Sequence, residues 1–195
     1  MSLAPGSEND IDKRIAKFFG AYSPSRDMKA VYHYLDEDGV RAAAGKLGNA
    51  GATPSGFVDY KANPMAVYIN RNTKLEGTVE HETLHLYGIK LLGFYGAGKD
   101  KVSHLFEGLT EYFTRKIVSG PRTSYAAEFS AAKQLADLTG DANLQTMFFQ
   151  AKANVVIDCL TQPIYIKWRD FVNDRNWGDA EKCLKGKKPC TGSKP

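Results

Sequence analysis

Apolar positions change their period along this chain, and the change falls near residue 73. Residues 10–19 carry a helical stripe, 29–35 alternate and are rich in Val and Tyr, and 38–47 are Ala-rich. That pattern predicts a short amphipathic helix, a strand and a second helix in turn. Two more short strands are expected over 56–60 and 65–70, joined by the turn Lys61-Ala62-Asn63-Pro64. The second of these leads into a proline-free stretch over 74–92, where Leu75, Val79, Leu84, Leu86 and Leu91 supply apolar surface. Thr73 followed three residues later by Glu76 reads as a capping box at that helix start, and Gly93, Gly96 and Gly98 close the segment. Gly77 and Gly88 inside it each cost about 1 kcal/mol against alanine, so a tertiary contact is expected at each. Beyond 103 the pattern is helical to about residue 171.

Composition bounds the architecture. With 195 residues, 43% hydrophobic and 25% charged, the chain suits one domain with a sizeable core. We expect it over 9–180, with a sheet part at about 25–72 and a helical part at about 73–175. Residues 1–8 read as disordered or artificially appended, without the basic and apolar regions of a signal peptide. The compartment is therefore left open between the cytoplasm and export without a visible signal. The mild net charge of +4 lies mostly in Lys182, Lys185, Lys187, Lys188 and Lys194, which makes 181–195 a solvated basic tail rather than a nucleic-acid contact. No stretch is apolar enough to span a membrane. Of three cysteines, Cys183 and Cys190 could close a short loop in an oxidising compartment, and Cys159 sits in an apolar run that suggests burial.

Candidate chemistry sits in His81-Glu82-Thr83-Leu84-His85. Residues four apart share a helix face, so two imidazoles can hold one metal ion while Glu82, offset from them, reaches a water. Zinc held this way lowers the pKa of its water to roughly 7, and a carboxylate can take the proton. A third ligand is needed. Position 91, where a metzincin carries its third histidine, is Leu91 and cannot bind zinc. The run His104-Leu105-Phe106-Glu107-Gly108-Leu109-Thr110-Glu111 offers Glu107, with His104 as a competing ligand. Glu111 is one turn beyond Glu107 and could orient a histidine ring. Gly93-Phe94-Tyr95-Gly96-Ala97-Gly98-Lys99-Asp100 nearly spells a phosphate-binding loop, but it follows a helix and ends in Asp100 where Ser or Thr is required.

His81-Glu82-Thr83-Leu84-His85 together with Phe106-Glu107-Gly108-Leu109-Thr110-Glu111-Tyr112 resembles the gluzincins, metallopeptidases whose third ligand is a glutamate on a following helix. The resemblance implies an α+β, zincin-like fold: a small N-terminal mixed sheet, an active-site helix and a helical C-terminal half. It implies one Zn2+ on His81, His85 and Glu107, with Glu82 as general base and then proton donor, and Glu111 behind a histidine. Tyr125, in a segment after the glutamate helix, is the candidate to polarise the carbonyl. The 65–70 strand would line the cleft as an edge and pair with an extended protein or peptide substrate. The expected activity is endopeptidase-type amide hydrolysis, and the compact size fits a bacterial effector or toxin peptidase. The alternative is an inactive zinc-bearing module acting in protein binding. Oligomeric state is not legible.

Overall fold

The computed structural model describes residues 8–21, 29–48, 53–73, 75–94 and 104–190. The fold is α+β, with a small three-stranded mixed sheet and mostly helical content. Helix α1 (Glu8–Phe19) precedes strand β1 (Ala30–Leu35), helix α2 (Glu37–Lys46) and the strands β2 (Gly56–Asp59) and β3 (Met65–Asn70). Helices α3 (Thr78–Tyr87), α4 (Ile89–Phe94), α5 (His104–Ile117), α6 (Ala126–Thr139) and α7 (Asp141–Gln150) follow. Helices α8 (Asn154–Leu160), α9 (Gln162–Asn173) and α10 (Trp177–Leu184) complete the order.

The sheet order is β1-β3-β2, so β3 is central and not the cleft-lining edge expected from its place before the helix. β1 lies parallel to β3 through the crossover that contains α2, and β2 lies antiparallel to it across the expected hairpin. Two edges result: β2 packs along α3, and β1 reaches it through the Tyr32 hydroxyl.

Alternation then sorts the side chains. Met65, Val67 and Ile69 point into the core, and Ala30, Tyr32 and Tyr34 stand beside them in register. Val58 joins this inner face opposite Val67. The outer face carries a ring stack across all three strands, with His33 and Phe57 4.9 and 4.7 Å from the Tyr68 centroid. This accounts for His33 by packing alone. α2 contacts β1 and β3 and buries Val40 and Ala44.

The helix expected over 74–92 begins later and breaks once. Thr73 does not cap it; its hydroxyl donates to Ser55 and accepts from the Leu75 N–H. α3 starts after Gly77, which holds φ 77 and whose Cα lies so close to Arg122 and Val118 that a Cβ would stand 2.6 and 2.8 Å from them. Only glycine takes that conformation in that space without strain. Gly88 separates α3 from α4, and a Cβ there would meet Phe148 at 2.6 Å and Phe106 at 2.7 Å. Both interior glycines thus have the tertiary contact expected of them.

Every residue of α3 is buried, because the sheet covers one side and α5 the other. Its polar groups other than Glu82 are accordingly partnered. Thr83 Oγ1 donates to the Val79 carbonyl and lies 3.0 Å from the Tyr32 hydroxyl, and Glu80 pairs with Arg14 of α1 at 2.6 Å. The helical half packs around Phe113, whose ring meets Phe19, Phe148 and Phe149 within 5.3 Å. Each such fully buried aromatic contributes about 1.5–3 kcal/mol. α5 and α6 touch backbone to backbone at Gly108, where a Cβ would lie 2.4 Å from the Glu128 carbonyl oxygen.

The disulfide differs from expectation. Cys190 bonds to Cys159, with Cα atoms 5.5 Å apart, and Cys183 is the free thiol. Cys183 faces the Ile164 carbonyl from α10, whereas the turn after α10 carries Cys190 back across the core to α8. The Cys190 N–H also donates to the Leu138 carbonyl, so the basic segment is anchored as far as residue 190. No helix among the described residues is long and apolar enough to cross a membrane.

Candidate metal centre

Two elements make the site, α3 from below and α5 from the side. His81 and His85 are four apart on α3 and bring Nε2 atoms within 3.1 Å of each other, with ring centroids 4.8 Å apart. Glu107, on the first turn of α5, places Oε2 3.2 Å from each of those nitrogens. The three donor atoms form a near-equilateral triangle, and both histidines are buried. Tetrahedral ligation at roughly 2.0–2.1 Å separates ligand atoms by roughly 3.3 Å, so the spacing and the donor set fit one metal ion. Glu82 is buried beside the triangle and is not one of its donors.

The far sides of the rings are held. His81 Nδ1 is 3.2 Å from Glu111 Oε2, and His85 Nδ1 is 3.4 Å from Thr110 Oγ1. Thr110 gives its own hydroxyl hydrogen to the Phe106 carbonyl, and Thr114 gives its hydroxyl hydrogen to the Thr110 backbone carbonyl. The Thr110 hydroxyl oxygen therefore faces His85 as an acceptor, which places the ring proton on Nδ1 and leaves Nε2 free to ligate. Phe106 packs its ring 5.0 Å from that of His85.

Glu111 is buried and heavily partnered. It accepts from Arg122 Nε and Nη2, both at 3.0 Å, and from Arg115 Nε at 2.9 Å. Burial pushes its carboxyl upward, but the hydrogen bonds from His81, Arg122 and Arg115 outweigh that and hold it down to about 2. Arg122 is itself buried and continues to the Glu76 carbonyl just ahead of α3. It ties the start of the histidine helix to the carboxylate behind His81. Charge-pair arithmetic on α5 finds Arg115, four residues on from Glu111, whereas nothing in the spacing signals Arg122.

Burial lowers His81, yet hydrogen bonds to Glu107 and Glu111 prevail and raise it to about 9. Burial likewise opposes ionisation of Glu107, but His85 and His81 hold it well below the usual carboxylate range. Glu82 is pushed upward, chiefly by burial, against the pull of both histidines. A carboxylate so placed is a better base than a solvated one.

Tyr125, the one tyrosine singled out by sequence, does reach the site. Its ring stacks on His81 at 5.2 Å and 2°. Burial, followed by the charge of Glu107 and Glu82, raises its hydroxyl. Its backbone sits at φ 51, a left-handed conformation that a side-chain-bearing residue rarely adopts. Such a cost of about 1–3 kcal/mol is commonly found at functional sites. Burial, then Glu107 and Glu82, raise the hydroxyl of Tyr60, just after β2, as well.

His104 is not brought to the triangle. Its Nδ1–H donates to Glu128 at 3.1 Å, and its Nε2 accepts from Arg175 Nε at 2.8 Å. The competing three-histidine site is thereby removed. The nearly phosphate-binding run lies outside the described residues from position 95 onward. No family model, no curated protein and no solved structure matches the chain. Function has to be read from the site.

Proposed function

We propose that this chain is a zinc-dependent peptidase of gluzincin type. The observation that carries the reading is the triangle of His81, His85 and Glu107 with Glu82 beside it and outside it. Two imidazoles and one carboxylate with an open fourth position are a catalytic zinc set rather than a closed structural one. A zinc ion there supplies a Lewis acid and brings the pKa of a water to roughly 7.

The chain's own groups do the rest. Glu82 takes a proton from the attacking water and returns it to the amine nitrogen as the C–N bond breaks. Glu111 and Thr110 keep both rings turned with Nε2 inward. Tyr125 covers the His81 ring. On the β3-distal side, β2 has no strand partner among the described residues. That free edge, beside α3, suits an extended peptide passing through, which supports endopeptidase action. The Cys159–Cys190 disulfide supports an oxidising compartment and hence export.

The test is Glu82→Gln in zinc-loaded protein with fluorescein-casein as substrate. Zinc content should stay at the wild-type value while hydrolysis falls by at least ~10³-fold. Wild-type protein that holds zinc and cleaves neither casein nor a random peptide library would instead make the chain a zinc-bearing binding module.

A further inference from the structure

We propose that Tyr125 determines specificity, the solvent-side face of its ring being a fixed wall on which an aromatic side chain beside the cleaved bond stacks. The inference rests on the peptidase reading above and names the substrate class within it, peptides with Phe, Tyr or Trp next to that bond.

The ring has one occupied face and one open face. It lies 5.2 Å from the His81 ring at an interplanar angle of 2°, and His81 is only 3% exposed, so the imidazole side is shut off from solvent. Tyr125 is nonetheless 41% exposed, and among the described residues no second ring packs on it. Its open area therefore lies on the outer face and the ring edge. The Nε2 lone pair of His81 lies in the imidazole plane, so a ring parallel to that plane flanks the donor triangle of His81, His85 and Glu107.

Packing does not account for this placement. Rings that serve the core are buried, as Phe113, Tyr165 and Trp168 are. Tyr125 keeps open surface and sits at φ 51, a left-handed backbone that side chains disfavour. Such a conformation persists only where its surroundings hold it, and here both flanks do. Ahead of it, the Ser124 carbonyl accepts from Arg115 Nη2 at 3.1 Å, and Ser124 Oγ accepts from Arg122 Nη2 at 3.3 Å. Behind it, the Tyr125 carbonyl accepts from the Phe129 N–H at 2.7 Å in the first turn of α6. The same two arginines grip Glu111, which holds Nδ1 of His81. Wall and ligand are thus fixed by one network: His81 meets Glu111 at its edge and Tyr125 on its face. A wall ordered before binding loses little freedom when a substrate ring lies on it. Two rings favour the offset parallel arrangement that an open flat face offers, and an aliphatic side chain meets the same face without that gain.

Tyr125→Phe keeps the ring, whereas Tyr125→Leu and Tyr125→Gln remove it under the same backbone constraint. Peptides copied from a mapped casein cleavage site carry either Phe or cyclohexylalanine, similar in bulk but not flat, at the positions flanking the bond. At one of these positions zinc-loaded wild type should favour Phe by ~3–10-fold in kcat/KM, the gain of one ring pair. Tyr125→Phe should keep that ratio, and both ringless variants should bring it within roughly twofold of unity. Calorimetry reads the wall without turnover. Phenylacetohydroxamate should bind zinc-loaded wild type ~3–10-fold more tightly than cyclohexylacetohydroxamate, and the difference should vanish in Tyr125→Leu and Tyr125→Gln. Equal cleavage of the two peptide sets by wild type, or a hydroxamate preference that survives loss of the ring, would overturn the wall while the peptidase reading stands. Zinc-loaded wild type that cleaves neither casein nor any peptide would overturn the peptidase reading, and the wall with it.

Discussion

Arg122→Met tests the carboxylate behind His81, because methionine keeps much of the length and removes the charge. Glu111 is held at about 2 against an ordinary 4.5, a depression that corresponds to about 3 kcal/mol at roughly 1.4 kcal/mol per pH unit. His81, Arg122 and Arg115 share that stabilisation. Arg122 also donates to the Glu76 carbonyl and to Ser124 Oγ, each such bond contributing about 1 kcal/mol. Breaking one partner out of a buried pair costs about 3–5 kcal/mol by a separate route. Both lines lead to a loss of about 3–4 kcal/mol in metal-free protein at pH 7. Urea unfolding with chelator present, followed by far-UV circular dichroism, reads it directly.

The pH dependence has a definite sign. The folded value of Glu111 lies below the unfolded one, so its stabilisation is complete above about 4.5 and is lost as pH falls through about 2. Wild type should lose about 3 kcal/mol from this group between pH 5 and pH 2, and Arg122→Met should lose less, since its carboxyl starts nearer the ordinary value. A variant within roughly 0.5 kcal/mol of wild type at pH 7, with the same acid slope, would refute the claim that Arg122 holds Glu111.

Gly56→Ala should keep the metal but cut casein hydrolysis by ~10-fold or more, because the added methyl lies 2.8 Å from Glu82 Cγ and must displace the base; undiminished hydrolysis would show that β2 does not fix Glu82. Alkylation of unreduced protein should label Cys183 alone, and peptide mapping should recover a Cys159–Cys190 linkage; a Cys183–Cys190 peptide would contradict the chain path after α10. Cys190→Ser, which opens a loop of sequence separation 31, should cost about 3–4 kcal/mol in thermal or urea unfolding.

What the sequence revealed followed how local each signal was. His81, Glu82 and His85 lie within about one helical turn, so spacing alone fixed their relation, and Glu107 and Glu111 share α5 in the same way. Strand positions were legible from alternation, but their order was not: a hairpin and one earlier strand fit with β3 at an edge or at the centre. The start of α3 was missed because a capping pattern at Thr73 and Glu76 lost to Gly77, whose conformation is set by Val118 and Arg122 more than forty residues on. Arg122 and Gly56 act across the fold, and no period or spacing joins them to the histidines. The disulfide failed for a related reason: Cys183 is near Cys190 in sequence, yet α10 turns it toward α9 while Cys190 returns to α8.

Metal content decides the central claim. Purified wild type, Glu107→Ala and His104→Ala would be reconstituted with zinc, dialysed and measured by elemental analysis beside protein concentration. The triangle of His81, His85 and Glu107 predicts close to one zinc per chain in wild type and in His104→Ala, and a loss in Glu107→Ala. Zinc absent from reconstituted wild type, or lost with His104→Ala and kept with Glu107→Ala, would contradict the account.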